Sequence, residues 1–352
     1  MMDGGQRGVR VRLCNLVLVV GMALSPGVRA QAPTPASPAP LKLSVVVAPT
    51  FALGEAARLW ADATRKLADR SFDVTFFPGA SLARSNAAEE FRLLKSGELD
   101  MAVGSAAFWS EAFPPLGALT LPWIAPTDKE VTAIVSDAVV TQKLAAQLAT
   151  AGLVLVHWAP LPHRDLATQA AALSTVDAMQ GMRVRVGTTP IILQTYQVLG
   201  AKPGVMTYAV AQSAYASGQL DAQDGTATTF AAARSWATGA RYLNEWGAFA
   251  DAMLFVVRQP VWDAWPEALR QQVRTAAESA ARDTDAPGRE SAARAILVAN
   301  GVNVTRLTQA GHAAFRTVVQ PVYDRFTPAI GADLVAAVQE AARKAGDPQR
   351  PP

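Results

Sequence analysis

LKLSVVVAP, residues 41 to 49, is an apolar run with one lysine near its start and a proline at its end, and it reads as a buried β-strand. The segments beyond it decide the fold. Gly54 to Ala68 sets Ala57, Leu59 or Trp60, Ala63 and Leu67 at helical spacing. FDVTFFPG (72–79) alternates as a second strand closed by Pro78-Gly79, Ala87 to Ser96 reads as a helix stopped by Gly97, and LDMAVGS (99–105) reads as a third strand. The order is β-α-β-α-β. That alternation predicts an α/β fold, a parallel sheet with helices on its faces and ligands at the carboxyl ends of its strands.

The second half repeats the theme. GLVLVHWAP (152–160) and GMRVRVG (181–187) read as strands, Pro190 to Leu199 as a helix, and Gln212 to Ser217 as a short helix before GQLDAQDG (218–225). AMLFVVR (252–258) returns as an apolar strand. Long alanine-rich helical patterns come next, from Pro266 to about Ala286 and from Arg289 to Asn300, then a strand-like VNVTRLT (302–308) and two further helices. Two α/β lobes joined by several crossings fit this order better than two beads on one linker.

The chain has 352 residues, half of them hydrophobic, enough for a sizeable core. Its first thirty do not belong to that core. Arg7, Arg10 and Arg12 precede an apolar stretch, Leu13 to Leu24, that ends in Ser25-Pro26-Gly27-Val28-Arg29-Ala30, the pattern of a secretory signal peptide cleaved after about Ala30. The stretch falls short of the roughly 20 residues a helix needs to span a bilayer. Cys14, the only cysteine, stands at its front behind Leu13, the wrong place for lipid attachment. A mature chain without cysteine, exported to the periplasm with no stable membrane anchoring, must fold without disulfides. Gln31 to Pro40, QAPTPASPAP, reads as a flexible leader.

The formal net charge of +3 resides in the signal peptide. Residues 1–30 hold four Arg and one Asp, which leaves 28 basic and 28 acidic residues beyond Ala30. Without net charge or a Lys/Arg block, nucleic acid and anionic membrane surfaces are poor partners. Enzyme signatures are absent too: no G-x-S-x-G elbow, no phosphate-cradling G-x-x-x-x-G-K-[ST] and no G-x-G-x-x-G occurs. The three histidines, His157, His163 and His312, make a His/Cys metal site improbable. His157 and His163 read as a partly exposed pair flanking a proline-containing loop, and Glu89-Glu90 as a solvated helix face. No cofactor is called for.

One set of landmarks runs through the chain in order: FPGASL (77–82), SGELDMAVGSAAF (96–108), LTLPWI (119–124), GMRVRV (181–186), GAKPGVMTY (200–208), SGQLDAQDG (217–225) and VWDAWPEALRQQV (261–273). Together, over about residues 41 to 345, they resemble the DctP-type solute-binding proteins of TRAP transporters. The resemblance implies a two-lobed periplasmic binding protein of the Venus-flytrap kind, each lobe a central sheet flanked by helices. Lobe I takes 41–161 plus about 251–285, lobe II takes 162–250 plus about 286–345, and 346–352 form a disordered tail. Such a protein captures an organic acid and delivers it to a membrane transporter of small and large subunits; it is not a catalyst, and most members look monomeric.

In that family the arginine ending "G-x-K-x-R" contacts the ligand carboxylate, and that position is Arg185. Strand geometry agrees, since Arg183 and Arg185 share one face while Val184 and Val186 share the other. A planar guanidinium that stays charged holds a carboxylate in two parallel hydrogen bonds. The resemblance also implies roles for Arg164, Tyr208, Ser105, Gln223 and Trp246, and more distantly Phe249. Gly225 stands where the family has a ligand-contacting asparagine, Val210 where an acidic residue is frequent, and Ser105 where sialic-acid binders place a carboxylate. A smaller or more apolar acid fits better, monocarboxylates ranking slightly above dicarboxylates, with Trp109, Trp123, Tyr208 and Trp246 as candidate cover. The competing expectation is an exported α/β lyase or isomerase in which Arg185 anchors the substrate and an unrecognised carboxylate acts as base.

Overall fold

The run at 41 to 49 supplies β1 (Leu41–Val45), which pairs in parallel with β2 (Val74–Pro78) on one side and β3 (Met101–Ser105) on the other. The coordinates, a computed structural model, describe residues 40–67 and 72–346. The signal peptide, all of the leader but Pro40, and the tail beyond Gly346 lie outside the described residues. The remaining strands are β4 (Leu153–Thr168), β5 (Arg183–Val186), β6 (Lys202–Val205), β7 (Ala222–Gly225), β8 (Tyr242–Arg258) and β9 (Asn303–Arg306). Among the described residues they make one sheet, ordered β2-β1-β3-β8-β4-β7-β5-β6, with β9 beside β8.

The two flanks are parallel, as the alternation predicts: β2, β1 and β3 at one end, β6, β5 and β7 at the other. Between them the sheet is antiparallel, because β4 and β8 run the length of both halves and pair with each other. These strands are longer than their apolar cores suggest. GLVLVHWAP continues through Pro160 and Pro162 to Thr168, and AMLFVVR begins ten residues earlier, at Tyr242. The missing amide of each proline weakens the ladder there. Its register shifts between Leu161 and Arg164 and again between Arg164 and Leu166. His157 and His163 therefore belong to β4, not to a loop; His163 bonds Asp128 Oδ1 at 2.9 Å and the Ala125 carbonyl at 2.7 Å.

Helices cover both faces. Ala52–Leu67 packs on Glu267–Asp283, burying Trp60 edge-on to Phe255 at 5.3 Å. Burying a ring of that size is worth roughly 1.5–3 kcal/mol. A second core gathers Trp123, Tyr196, Trp246, Phe249 and Phe315, each fully enclosed. The last helix, Ala332–Ala345, lies on Asp128–Ser136 and Ala138–Thr150. At the end of Ala87–Ser96, Gly97 takes φ 91° and donates to the Leu93 and Leu94 carbonyls, a left-handed stop that favours glycine.

Glu90 departs from the expected solvated face. It is fully buried, accepting hydrogen bonds from Ser44 Oγ at 2.5 Å and Trp109 Nε1 at 3.2 Å. Burial pushes its carboxyl up from 4.5 to about 7, against the pull of those two donors. The folded protein thus holds this proton more tightly than the unfolded chain, so stability falls as pH rises between about 4.5 and 7. At about 1.4 kcal/mol per pH unit the whole window amounts to roughly 3–4 kcal/mol. Glu90→Gln is expected to flatten that part of the urea-stability profile; an unchanged slope would contradict the assignment.

Candidate functional site

Both parallel flanks turn the carboxyl ends of their strands toward one cleft where β4 and β8 cross. From one side come Val47 and Phe51 after β1, Ser105 at the end of β3 and Phe108 beyond it; from the other come Arg185 of β5, Tyr208 after β6, Gly225 at the end of β7 and Thr226, Thr228 and Thr229 beyond it. Arg164 and Asp251 line it at the crossing itself. The cavity measures about 600 Å³ and is walled largely by apolar groups. That size and make-up suit a small organic molecule.

Arg185 is placed as its strand position predicts, with Val184 and Val186 fully buried behind it. Its Nε donates to the Met206 carbonyl at 3.2 Å and its Nη1 to the Asp224 carbonyl at 3.4 Å, and the guanidinium lies 5.2 Å from the Tyr208 ring centre. Among the described residues no carboxylate pairs with it. Burial, and then the neighbouring Arg164 charge, weaken its hold on its proton. Arg183, by contrast, is exposed and tied to Asp221, with Nε to Oδ2 at 2.9 Å.

Arg164 is buried and already paired. Its Nε donates to Asp224 Oδ1 at 2.6 Å, its Nη2 contacts the same oxygen, and Asp224 Oδ2 accepts from Tyr196 at 3.2 Å. Asp224 is fully enclosed. Nη1 of Arg164 has no hydrogen bond among the described residues, and Arg164 lines the cleft.

Ser105 caps the helix Ala106–Trp109, accepting from the Phe108 amide at 3.1 Å, and donates its own proton to Asp251 Oδ2 at 2.6 Å. Asp251 Oδ1 accepts from the Ala107 and Ala252 amides at 3.0 and 2.8 Å. Burial raises the Asp251 carboxyl above its usual range, with these three donors and Arg164 opposing. Tyr208 also lines the cleft; burial first, eased by Arg185, pushes its hydroxyl up to about 12.

Gln223 and Trp246 stand outside the cavity wall. Gln223 is fully buried and accepts from Gln212 Nε2 at 3.0 Å, while Trp246 packs in the aromatic core and donates to the Arg164 carbonyl at 3.2 Å. Trp109, Trp123 and Phe249 are core residues as well. Gly225 does reach the cavity, where a side chain would press on Phe230 at 3.0 Å. Missed in the sequence were Asp224, Asp251 and Glu290. Glu290 accepts from the Ala227 and Thr228 amides at 2.5 and 3.1 Å and so holds the start of the helix that carries the cleft threonines. A lone Asp251 inside the apolar AFADAMLFVV (248–257) was the available signal, since a buried acid needs donors.

A family model described as bacterial extracellular solute-binding protein, family 7 (DctP), matches residues 43–328. The C4-dicarboxylate-binding periplasmic protein DctP of Rhodobacter capsulatus is 27% identical over 323 residues, 88% of this chain and 92% of that one. A TRAP periplasmic solute-binding protein of Ralstonia eutropha, solved with bound (S)-2-acetolactate, is 33% identical, with TM-score 0.79 over 86% of this chain and 98% of that one. One from Chromohalobacter salexigens, solved with D-glucuronate, shares the fold at 21% identity and TM-score 0.77, over 86% and 99%.

Proposed function

We propose, for a chain that belongs to the DctP family of bacterial extracellular solute-binding proteins, that Arg185 holds the carboxylate of a small organic acid enclosed between the two lobes. The protein is a solute-binding component of TRAP-type transport: it captures an organic acid and delivers it for passage across the membrane. The single observation that carries the role of Arg185 is a guanidinium lining the cleft with no carboxylate partner among the described residues. Arg164 adds one free Nη1, and Tyr208 an aromatic face.

The acid is small. Of the relatives, the Ralstonia protein, at 33% identity, holds acetolactate, a branched monocarboxylate. The apolar walls at Val47, Phe51 and Phe108 suit such a body. Closure pivots where the β4 and β8 register breaks, which supports the lobe boundaries 41–161 plus 251–285 and 162–250 plus 286–345, with the last helix reaching back over lobe I. Asp285 supports the same pivot, taking a left-handed φ of 44° between the helices Glu267–Asp283 and Ala286–Ala299. The closed protein works as an exported monomer, cleaved after Ala30, that meets the small and large membrane subunits. Among the described residues no helix is long and apolar enough to cross a membrane.

A thermal-shift screen of residues 31–352 against organic acids tests this reading. An acid at about 100 times its Kd stabilises the protein by roughly 2.7 kcal/mol, which is visible as a raised Tm. An acid that shifts the wild type and moves tryptophan fluorescence supports lobe closure; a panel with no shift rejects the carboxylate reading.

A further inference from the structure

We propose that Asp251 sets the specificity of the cleft, accepting a hydrogen bond from a ligand hydroxyl and excluding a second carboxylate, so that the acid is a hydroxy monocarboxylate. The inference rests on the organic-acid reading above and narrows it.

Charges around the cavity are the first argument. Arg164 is neutralised by Asp224. Arg289, at the edge of the cavity, commits Nε to the Thr284 carbonyl at 2.8 Å and Nη1 to the Thr50 carbonyl at 3.2 Å, and its charge acts on Glu55. Glu290, also on the wall, is satisfied by backbone amides and the Thr228 hydroxyl. Arg185 and Arg289 are thus the cavity cations without a carboxylate partner among the described residues. A dicarboxylate seated on Arg185 that turns its far side to Asp251 would bring a second negative charge against that carboxylate.

The hydrogen-bond inventory is the second. Three donors reach Asp251: two amides occupy Oδ1, and the Ser105 hydroxyl, which accepts from Phe108, gives its proton to Oδ2. A carboxylate oxygen accepts two hydrogen bonds, so Oδ2 keeps one place. Asp251 lines the same cavity as Arg185 but stands on the other lobe's side, opposite Leu161 in the ladder, with the Arg164 charge acting on both. An acid held by Arg185 therefore presents its far side to an acceptor. A hydroxyl satisfies it, a hydrogen leaves it unmet, and a carboxylate is repelled.

The test is a matched set measured by calorimetry: 3-hydroxybutanoate, its deoxy counterpart butanoate, and malate, which keeps that hydroxyl and carries a carboxylate in place of the methyl. Wild type is expected to bind the hydroxy acid at least tenfold more tightly than either of the others. Asp251→Asn, which keeps shape and removes charge, is expected to narrow the gap to malate at least tenfold. Malate binding as tightly as the hydroxy acid in wild type, or ratios unmoved by the variant, overturns the role of Asp251 while leaving the organic-acid site intact. No binding of any of the three, with Arg185→Ala indistinguishable from wild type, overturns the site and this inference together. Should Asp251→Asn fail to fold, the wild-type ratios decide alone.

Discussion

Arg185→Ala is expected to abolish the ligand-induced rise in Tm while leaving the empty protein at least as stable as wild type. The two halves of that result have one cause. In the empty cleft Arg185 is a half-buried cation beside another cation, supported only by two carbonyls at 3.2 and 3.4 Å and the Tyr208 ring. Removing it relieves a desolvated charge, as happens when a binding group is held in place at the expense of stability. In the closed, occupied cleft the same removal strands the ligand carboxylate in a water-poor site. By analogy with broken buried pairs the cost is roughly 3–5 kcal/mol, which at about 1.4 kcal/mol per tenfold is a loss of two to three decades or more in Kd. Calorimetry on the acid found by the thermal screen, with urea melts of both empty proteins, checks both halves. A variant that loses stability but keeps affinity would make Arg185 a structural residue.

One sheet flank, β1 to β3, and β5 of the other were legible in the sequence because each element there is local, whereas the short, proline- and glycine-bearing β6 and the polar β7 were not read as strands. A strand of four or five residues and its neighbouring helix announce themselves by periodicity, and Gly97 bounds Ala87–Ser96 to the residue. The middle was not. β4 and β8 are each built from an apolar half and a polar, proline-bearing or glycine-bearing half, and the second half is a strand only because its partner lies alongside. No local window contains that partner. The site divides the same way. Alternation in RVRV places Arg185 on the cleft side, whereas Trp246 and Gln223 rest on resemblance alone, and their burial depends on packing from distant segments. Asp224 and Asp251 are silent in the sequence because a carboxylate's role is set by its donors. Apart from the adjacent Ala252 amide, those donors come from residues 28, 60 and 144 to 146 positions away.

Arg164 is expected to behave in the opposite way to Arg185, although both line the same cavity. Arg164→Met removes the cation from Asp224, which is fully enclosed and left with the Tyr196 hydroxyl at 3.2 Å. An uncompensated buried carboxylate costs roughly 3–5 kcal/mol, so the variant should melt far below wild type in urea before any ligand is added. The pair itself is a weak source of stability, because taking both charges out of water offsets most of their attraction. Arg164→Met combined with Asp224→Leu should therefore recover most of the loss, a coupling that a double-mutant cycle reads directly. The recovered protein then reports the ligand's share: it keeps Arg185 and the Asp224 backbone carbonyl, and of the cavity wall it has lost the Arg164 guanidinium with its free Nη1. A small decrease in affinity beside the large one at Arg185 would identify Arg164 chiefly as the strut that fixes β7 and its carbonyl beneath the ligand. A decrease as large as that of Arg185→Ala would instead make the two arginines joint holders of the carboxylate, with Asp224 there to keep one of them in place.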